Sequence, residues 1–458
     1  MCDTISSICE FGRYREMKDL TRGKVGGLIL TFAIPLAIGN IFQLLYSFAD
    51  VYIVGKTLGS NALAAVGSTS TLNDLIVGFL TGLTNGFAVL TAQSFGARDE
   101  KKLRSCAAHT IMLGTAVSVL LTVLSAVFLP QIFSALNIPE EHYENAYSYA
   151  RVILLGMTAS MLYNVCASIL RAIGDTITPL IFLIFSSVLN VALDYILIAH
   201  FGMNVEGAAY ATVISQAVSA VLCIVYMLKK YGILRLDASD FAINPKIIAD
   251  LMSSGLSMGF MSSFVAFGTV ALQSSINTLG TNIIVAHTAA RKLTSFFMMP
   301  FAVFGMTMAA YCAQNYGAEK FDRIRQGVFK AVAFSWIWCA FLIVFIYSCA
   351  APMLRLITSE NDPEIIEPAQ LYLKIDCLLY FVTAVISIFR NALQGLGVHK
   401  TPIVSSAIEL LGKVAAAKLL APSLGYMGII LTEPIVWVLM VIPLIIRLMR
   451  HPAVRIKK

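Results

Sequence analysis

Two aspartates stand where an apolar sequence penalises them most. Asp50 closes a polar series in the run Leu28–Val54, and Asp194 lies within the run Leu180–Ala199. An ionisable side chain at the centre of a bilayer costs roughly 2.5–3.5 kcal/mol, so each one kept at such depth is a candidate for chemistry before packing. Asn40, Gln43, Ser47 and Asp50 follow one another at spacings of 3, 4 and 3 and therefore share one helical face. Ser187, Asn190 and Asp194 form a second such face, and Thr212, Ser215 or Gln216, and Ser219 a third. Three polar stripes in one lobe suggest a wet cleft. For an isolated serine or threonine, interhelical hydrogen bonding is the blander reading. Asp74, beside Asn73, is a further cleft candidate of lower rank. On the same run Gly78, Gly82 and Gly86 make consecutive GxxxG steps, a close-packing face.

The elements that must carry these stripes follow from composition. The chain has 458 residues, 58% of them hydrophobic and 13% charged, against about a quarter charged in soluble domains; mean hydropathy is +0.79. Twelve apolar runs of spanning length occupy the sequence from Leu28 to Leu448, which predicts an all-α integral membrane protein of twelve transmembrane helices. Thr57-Leu58-Gly59 recurs as Thr278-Leu279-Gly280, and Ala92-Gln93 to Gly96-Ala97 recurs as Ala313-Gln314 to Gly317-Ala318, both at an offset of 221. Gly174 to Thr178-Pro179 recurs as Gly397 to Thr401-Pro402, at an offset of 223. A six-helix unit has been duplicated, giving two lobes with one topology.

The expected division is a cytoplasmic N-terminal segment over 1–24, an N-lobe over 25–228, a cytoplasmic linker over 229–249, a C-lobe over 250–448 and a cytoplasmic tail over 449–458. Basic residues mark the cytoplasmic side: Arg13, Arg15, Lys18, Arg22 and Lys24 at the start, Arg98 to Arg104, Lys229 to Lys246, Lys320 to Arg325, and Arg450, Arg455, Lys457 and Lys458 at the end. That bias accounts for the net charge of +7, and no nucleic-acid partner is required. A cleaved leader is not expected, because the first long apolar run carries no processing site. The nine cysteines include no CxxC pair and mostly lie in apolar runs, so disulfides and zinc are not expected. Gly55-Lys56-Thr57 imitates the end of a phosphate loop, but the glycine required five residues earlier is Asp50. The position repeat-matched to Asp50 is Ala271, so the second lobe is not expected to bind a cation in the same manner. Glu409 and Lys413, spaced i,i+4, can neutralise each other, whereas Arg291 and Lys292 need a carboxylate, carbonyl or water to face.

The duplicated plan, Pro35 fifteen positions before Asp50, the Gly55 and Leu58-Gly59 run, both Ala-Gln-x-x-Gly-Ala segments, Arg171 to Asp175 with Pro179, and Asn190-x-x-x-Asp194 together resemble the multidrug and toxic compound extrusion (MATE) family. The resemblance covers nearly the whole chain. It implies a secondary antiporter that exports organic, often cationic, drugs and toxic compounds by alternating access against inward proton or sodium flow. Asp50, Asn190, Asp194 and Thr212 match the N-lobe polar network of the branch similar to DNA-damage-inducible protein F, and Pro35 its helix-bending proline. Where the sodium-coupled branch has acids in its seventh and tenth helices, this chain has none at comparable depth, with Asp376 read toward the outer end of the tenth span. The resemblance therefore implies an N-lobe cation site, no enzymatic activity, no cofactor beyond the coupling ion, no metal other than sodium at Asp50, Asn190 and Asp194, and no obligate protein partner. It places the chain in the inner membrane with small organic molecules and lipid as its partners. Two other readings are a flippase for a lipid-linked precursor, which needs a basic groove, and a membrane-embedded enzyme, which needs paired catalytic acids near an interface.

Overall fold

A computed structural model of the chain describes residues 19–135, 138–358 and 362–455. Arg13, Arg15, Lys18, Lys457 and Lys458, used above for orientation, lie outside them. Fourteen α-helices and no strand occur among the described residues. They are α1 (Val25–Leu58), α2 (Ser60–Gly96), α3 (Glu100–Ala135), α4 (Glu140–Leu155), α5 (Met157–Ala172), α6 (Ile177–Asp194), α7 (Val205–Lys230), α8 (Pro245–Ile276), α9 (Thr281–Gly317), α10 (Phe321–Thr358), α11 (Pro363–Leu378), α12 (Tyr380–Gly395), α13 (Lys400–Leu424) and α14 (Tyr426–Met449).

Among the described residues, nine helical segments are long and apolar enough to cross a membrane, and the bent pairs α4–α5 (44°) and α11–α12 (54°) raise the number to eleven. The twelfth span expected from the sequence is α13. Its middle carries Glu409, Lys413 and Lys418, which depress its hydropathy, but Glu409 and Lys413 are buried and paired inside the protein. The duplication is written into the backbone as well. Positive φ recurs at Gly59 and Gly280 and at Arg98 and Glu319, each pair 221 apart, and at Gly174 and Gly397, 223 apart. Arg98 and Glu319 each follow the Ala-Gln-x-x-Gly-Ala segment, where a left-handed residue ends a helix by releasing its last carbonyls to turn bonds: Asp99 N–H reaches the Ser94 carbonyl and Lys320 N–H the Asn315 carbonyl.

The described residues form two compact units, one of 19 and 34–259, the other of 20–33 and 260–455. The division falls inside α1, just before Pro35, and inside α8, after Gly259, and not in the linker. Pro35 lies within a continuous α1, where it removes one backbone donor and leaves the Thr31 carbonyl without its intrahelical partner.

The first unit packs Leu83 and Phe87 of α2, Leu103 and Cys106 of α3, Met161 and Val165 of α5, Cys223 of α7 and Leu251 of α8 into one core. Here Gly82 and Gly86 do what the GxxxG spacing implies. A Cβ on Gly82 would stand 2.5 Å from the Met258 carbonyl oxygen, and one on Gly86 2.5 Å from that of Ser254. Ser254 Oγ then donates to the Gly86 carbonyl at 2.8 Å. Gly78 takes no part, with nothing within 4 Å of its Cβ position.

The second unit shows what the Ala-Gln-x-x-Gly-Ala segment is for. Gln314 Oε1 accepts from the Leu20 backbone N–H at 3.0 Å, and Asn315 donates to the Leu20 carbonyl at 3.2 Å. Lys320 donates to the Thr21 carbonyl and Arg323 to the Gly23 carbonyl, both at 2.9 Å. The segment thus grips the chain where it enters α1. In the first unit, His109 Nε2 accepts from Asn244 N–H at 3.2 Å, just ahead of α8. His109 is a hydrogen-bonding residue there.

Candidate functional site

Helix α6 buries Ser187, Asn190 and Asp194, and directly after Asp194 the backbone loosens into a π-helical turn, Tyr195–His200. Such turns shift a helix's register and frequently accompany functional residues. Asp194 is wholly buried. Asp50 of α1 lies close enough to interact with it directly, and Tyr149 of α4 is within electrostatic reach of both. One turn beyond Asp50, Val54 packs with Tyr149, Val205 and Ala208 and pins the end of α1 to α4 and α7. From α7, Thr212 Oγ1 accepts from Asn190 Nδ2 at 3.3 Å. The α4–α5 bend holds this corner: a Cβ on Gly156 would be 2.1 Å from Val213, the residue after Thr212.

The chemistry of the group lies in what it lacks. Asp50 Oδ1, both oxygens of Asp194, and Asn190 Oδ1 are buried, and no hydrogen-bond donor reaches any of them among the described residues. Four buried acceptor oxygens without a donor are costly, and a bound proton or cation would relieve that cost. Ser187 Oγ donates to its own helix, to the Leu183 carbonyl at 2.8 Å.

The remaining candidates are distributed less tightly. Asn40 is half-buried, while Gln43 and Ser47 are exposed on α1; Tyr46 stands within reach of Gln43 and Asp50. Asp74 is exposed on α2 and is not brought to the Asp50–Asp194 group. Tyr149 is the residue that the polar stripes do not reveal. A tyrosine on an ordinary amphipathic helix carries no warning of its own, and its one signal in the sequence is the 223-residue offset that pairs it with Tyr372.

The second unit is organised differently. Arg291 of α9 meets Glu433 of α14 at 3.2 Å, Lys413 of α13 meets Glu433 at 3.2 Å and Glu409 at 3.0 Å, and Arg390 of α12 meets Glu409 at 3.6 Å. The i,i+4 pair expected from the sequence is therefore one link of a chain through four helices, and Arg291 has the carboxylate it needs. Asp376 is also corrected in position. It sits three residues before Leu379, at the α11–α12 bend in the middle of the span, is fully buried, and accepts from Thr294 at 3.5 Å.

Comparison with known proteins agrees with the duplicated architecture. The probable multidrug resistance protein YoeA of Bacillus subtilis is 28% identical over 388 residues, covering 83% of each chain. The probable multidrug resistance protein NorM of Thermotoga maritima is 28% identical over 401 residues, covering 83% of this chain and 82% of its own. A solved structure described as MATE in the bent conformation superposes with a TM-score of 0.86 at 25% identity, over 93% of this chain and 96% of the other. The MatE family profile matches twice, at residues 35–196 and 257–417, once for each six-helix repeat. With both repeats matched over more than half its length, this multi-pass membrane protein belongs to the MatE family.

Proposed function

We propose that the chain is a cation-coupled secondary antiporter that exports small organic compounds, often cationic, across the cytoplasmic membrane by alternating access, with both termini in the cytoplasm. The names of its relatives support the substrate class, and the basic character of the N-terminus, the second loop, the central linker, the eighth loop and the tail supports the orientation. The kinship with the branch similar to DNA-damage-inducible protein F rests on Asp50, Asn190, Asp194 and Thr212.

One observation carries the reading: four buried acceptor oxygens on Asp50, Asp194 and Asn190 with no donor among them. With the pocket open to the outside, a proton or sodium ion enters and offsets one of the two acidic charges. The proline-weakened stretch of α1 at Pro35 then lets that helix change shape, and substrate affinity falls because cation occupancy and helix conformation are linked. Substrate leaves, and the cation is released inward. Each charge moved through 100 mV supplies about 2.3 kcal/mol, enough to hold a gradient of about fiftyfold for a neutral substrate exchanged against one cation; a monovalent cationic substrate exchanged one for one is driven by the concentration gradient of the coupling cation instead. In the second unit Arg291 and Lys413 are each held by a carboxylate, which does not favour the phosphate groove that a lipid flippase needs.

Linkage supplies the test. Adding a cationic dye to purified protein should expel a proton into weakly buffered solution, or sodium in a sodium medium, and raising that cation should weaken dye binding by tenfold or more. Dye binding with neither release nor competition would overturn the proposal.

A further inference from the structure

Helix by helix, the two units place different residues at the same station. Asn190 and Lys413 are each the fourteenth residue of their helices, α6 and α13; Thr212 and Glu433 are each the eighth of α7 and α14; Tyr149 and Tyr372 are each the tenth of α4 and α11. In the first unit the Asn190 amide donates to Thr212 at 3.3 Å beside the two open carboxylates. In the second, the Lys413 ammonium occupies that station and lies 3.2 Å from Glu433 and 3.0 Å from Glu409. The two acids of the first site have become Ala271 and Ala417 at the repeat offsets of 221 and 223. Lys413 is 2% exposed, and α8 makes room for it at Gly268, where a Cβ would come within 3.0 Å of its Cδ.

We propose that Lys413 is a tethered cation filling the second unit's counterpart of the cation site, and that Glu409 and Glu433 form a monovalent-cation site that opens when its ammonium is removed. The wild-type chain then moves its coupling ion through the first unit alone. The charges around the cradle balance with Lys413 in place. Arg390 faces Glu409 from α12, Arg291 and His287 face Glu433 from α9, and Asp376 and Tyr372 lie within reach of Arg291 from α11. Of these, three cations (Arg390, Lys413, Arg291) stand against three acids (Glu409, Glu433, Asp376). Deleting one ammonium leaves a deficit of one positive charge in a dry site, and a buried ion without its partner recruits a substitute or destabilises the fold.

The inference shares with the proposed function the reading of the first unit as a cation site, so the experiment separates the two. Bound sodium is counted by equilibrium dialysis with radioactive sodium at pH 8, and bound protons by titration from pH 8 to pH 5, on full-length purified wild type, Lys413→Met, Lys413→Met/Glu433→Gln and Asp50→Asn. Lys413→Met should hold one more cation per chain than wild type in one of the two measurements, and Lys413→Met/Glu433→Gln should lose that gain. A folded Lys413→Met with the wild-type count in both would overturn the proposal. If Lys413→Met unfolds in N-methylglucamine medium at pH 8, sodium or acid should restore its thermal transition, and failure of both would overturn it equally. The Asp50→Asn arm reads the first unit independently, because the difference between Lys413→Met and wild type does not depend on it.

Discussion

Replacing Gly156 by alanine tests whether the α4–α5 bend positions the polar group. The added Cβ would meet Val213 Cγ2 at 2.1 Å, Cγ1 at 2.5 Å and Cβ at 2.8 Å, where ordinary carbon contacts need about 3.5–4.0 Å. Helix α7 must therefore yield by more than about 1 Å on the side that presents Thr212. The Asn190–Thr212 hydrogen bond, already 3.3 Å long, does not survive such a shift. Overpacking of this kind costs about 1–3 kcal/mol. If that cost falls on the cation-bound form, cation affinity drops by roughly fivefold to 150-fold. Sodium or proton binding to purified protein and gradient-driven dye efflux from proteoliposomes both report it. Val213→Ala in the Gly156→Ala background removes the two closest carbons and should recover part of the loss, while Val213→Ala alone stays near wild type. Wild-type affinity and efflux in Gly156→Ala, or no recovery in the double variant, would refute the argument.

Two further predictions concern packing and the tail. Gly86→Ala should lower the thermal transition in detergent, because its new carbon would lie 2.5 Å from a backbone oxygen that cannot rotate away. Gly78→Ala should be neutral or slightly stabilising, since its surroundings are open and alanine favours the helix by up to about 1 kcal/mol; equal losses in both would contradict the assigned roles. At the tail, burial and then neighbouring Arg447 hold the His451 imidazole below its ordinary range, and its Nδ1 accepts from Ala453 N–H at 3.2 Å. The undocked tail takes up a proton first, so docking is fully present above about pH 6.5 and weakens as pH falls. Amide-exchange protection of residues 450–455 should drop between pH 7.5 and pH 5.5 in wild type and stay flat in His451→Gln.

The acids were legible because a bilayer makes them expensive, and their helical spacing with Asn190 already placed them on shared faces. Spacing alone could not say which stripe members turn inward. Gln43 and Ser47 share the periodicity of Asp50 but are exposed, and Asp74 is exposed on its own helix. Glycine periodicity found the contact face of α2, but only the partner backbone from Ser254 to Gly259 decides that it stops before Gly78. The bend at Leu379 has neither glycine nor proline at its centre, so no local signal announces it, although its repeat mate at the other bend is Gly156. Glu409 and Lys413 could be paired from their spacing on one helix. Glu433, Arg390 and Arg291 join them from other helices, and such long-range contacts leave no pattern in a single chain.

The central claim is that a mobile cation drives export through the acids of the first unit. Its most direct test is dye efflux from proteoliposomes under a sodium gradient alone and under a pH gradient alone, for wild type and Asp50→Asn. The account predicts that at least one gradient drives efflux in wild type and that neither does so in Asp50→Asn. Undiminished driven efflux in Asp50→Asn, or wild-type efflux indifferent to both gradients, would contradict it.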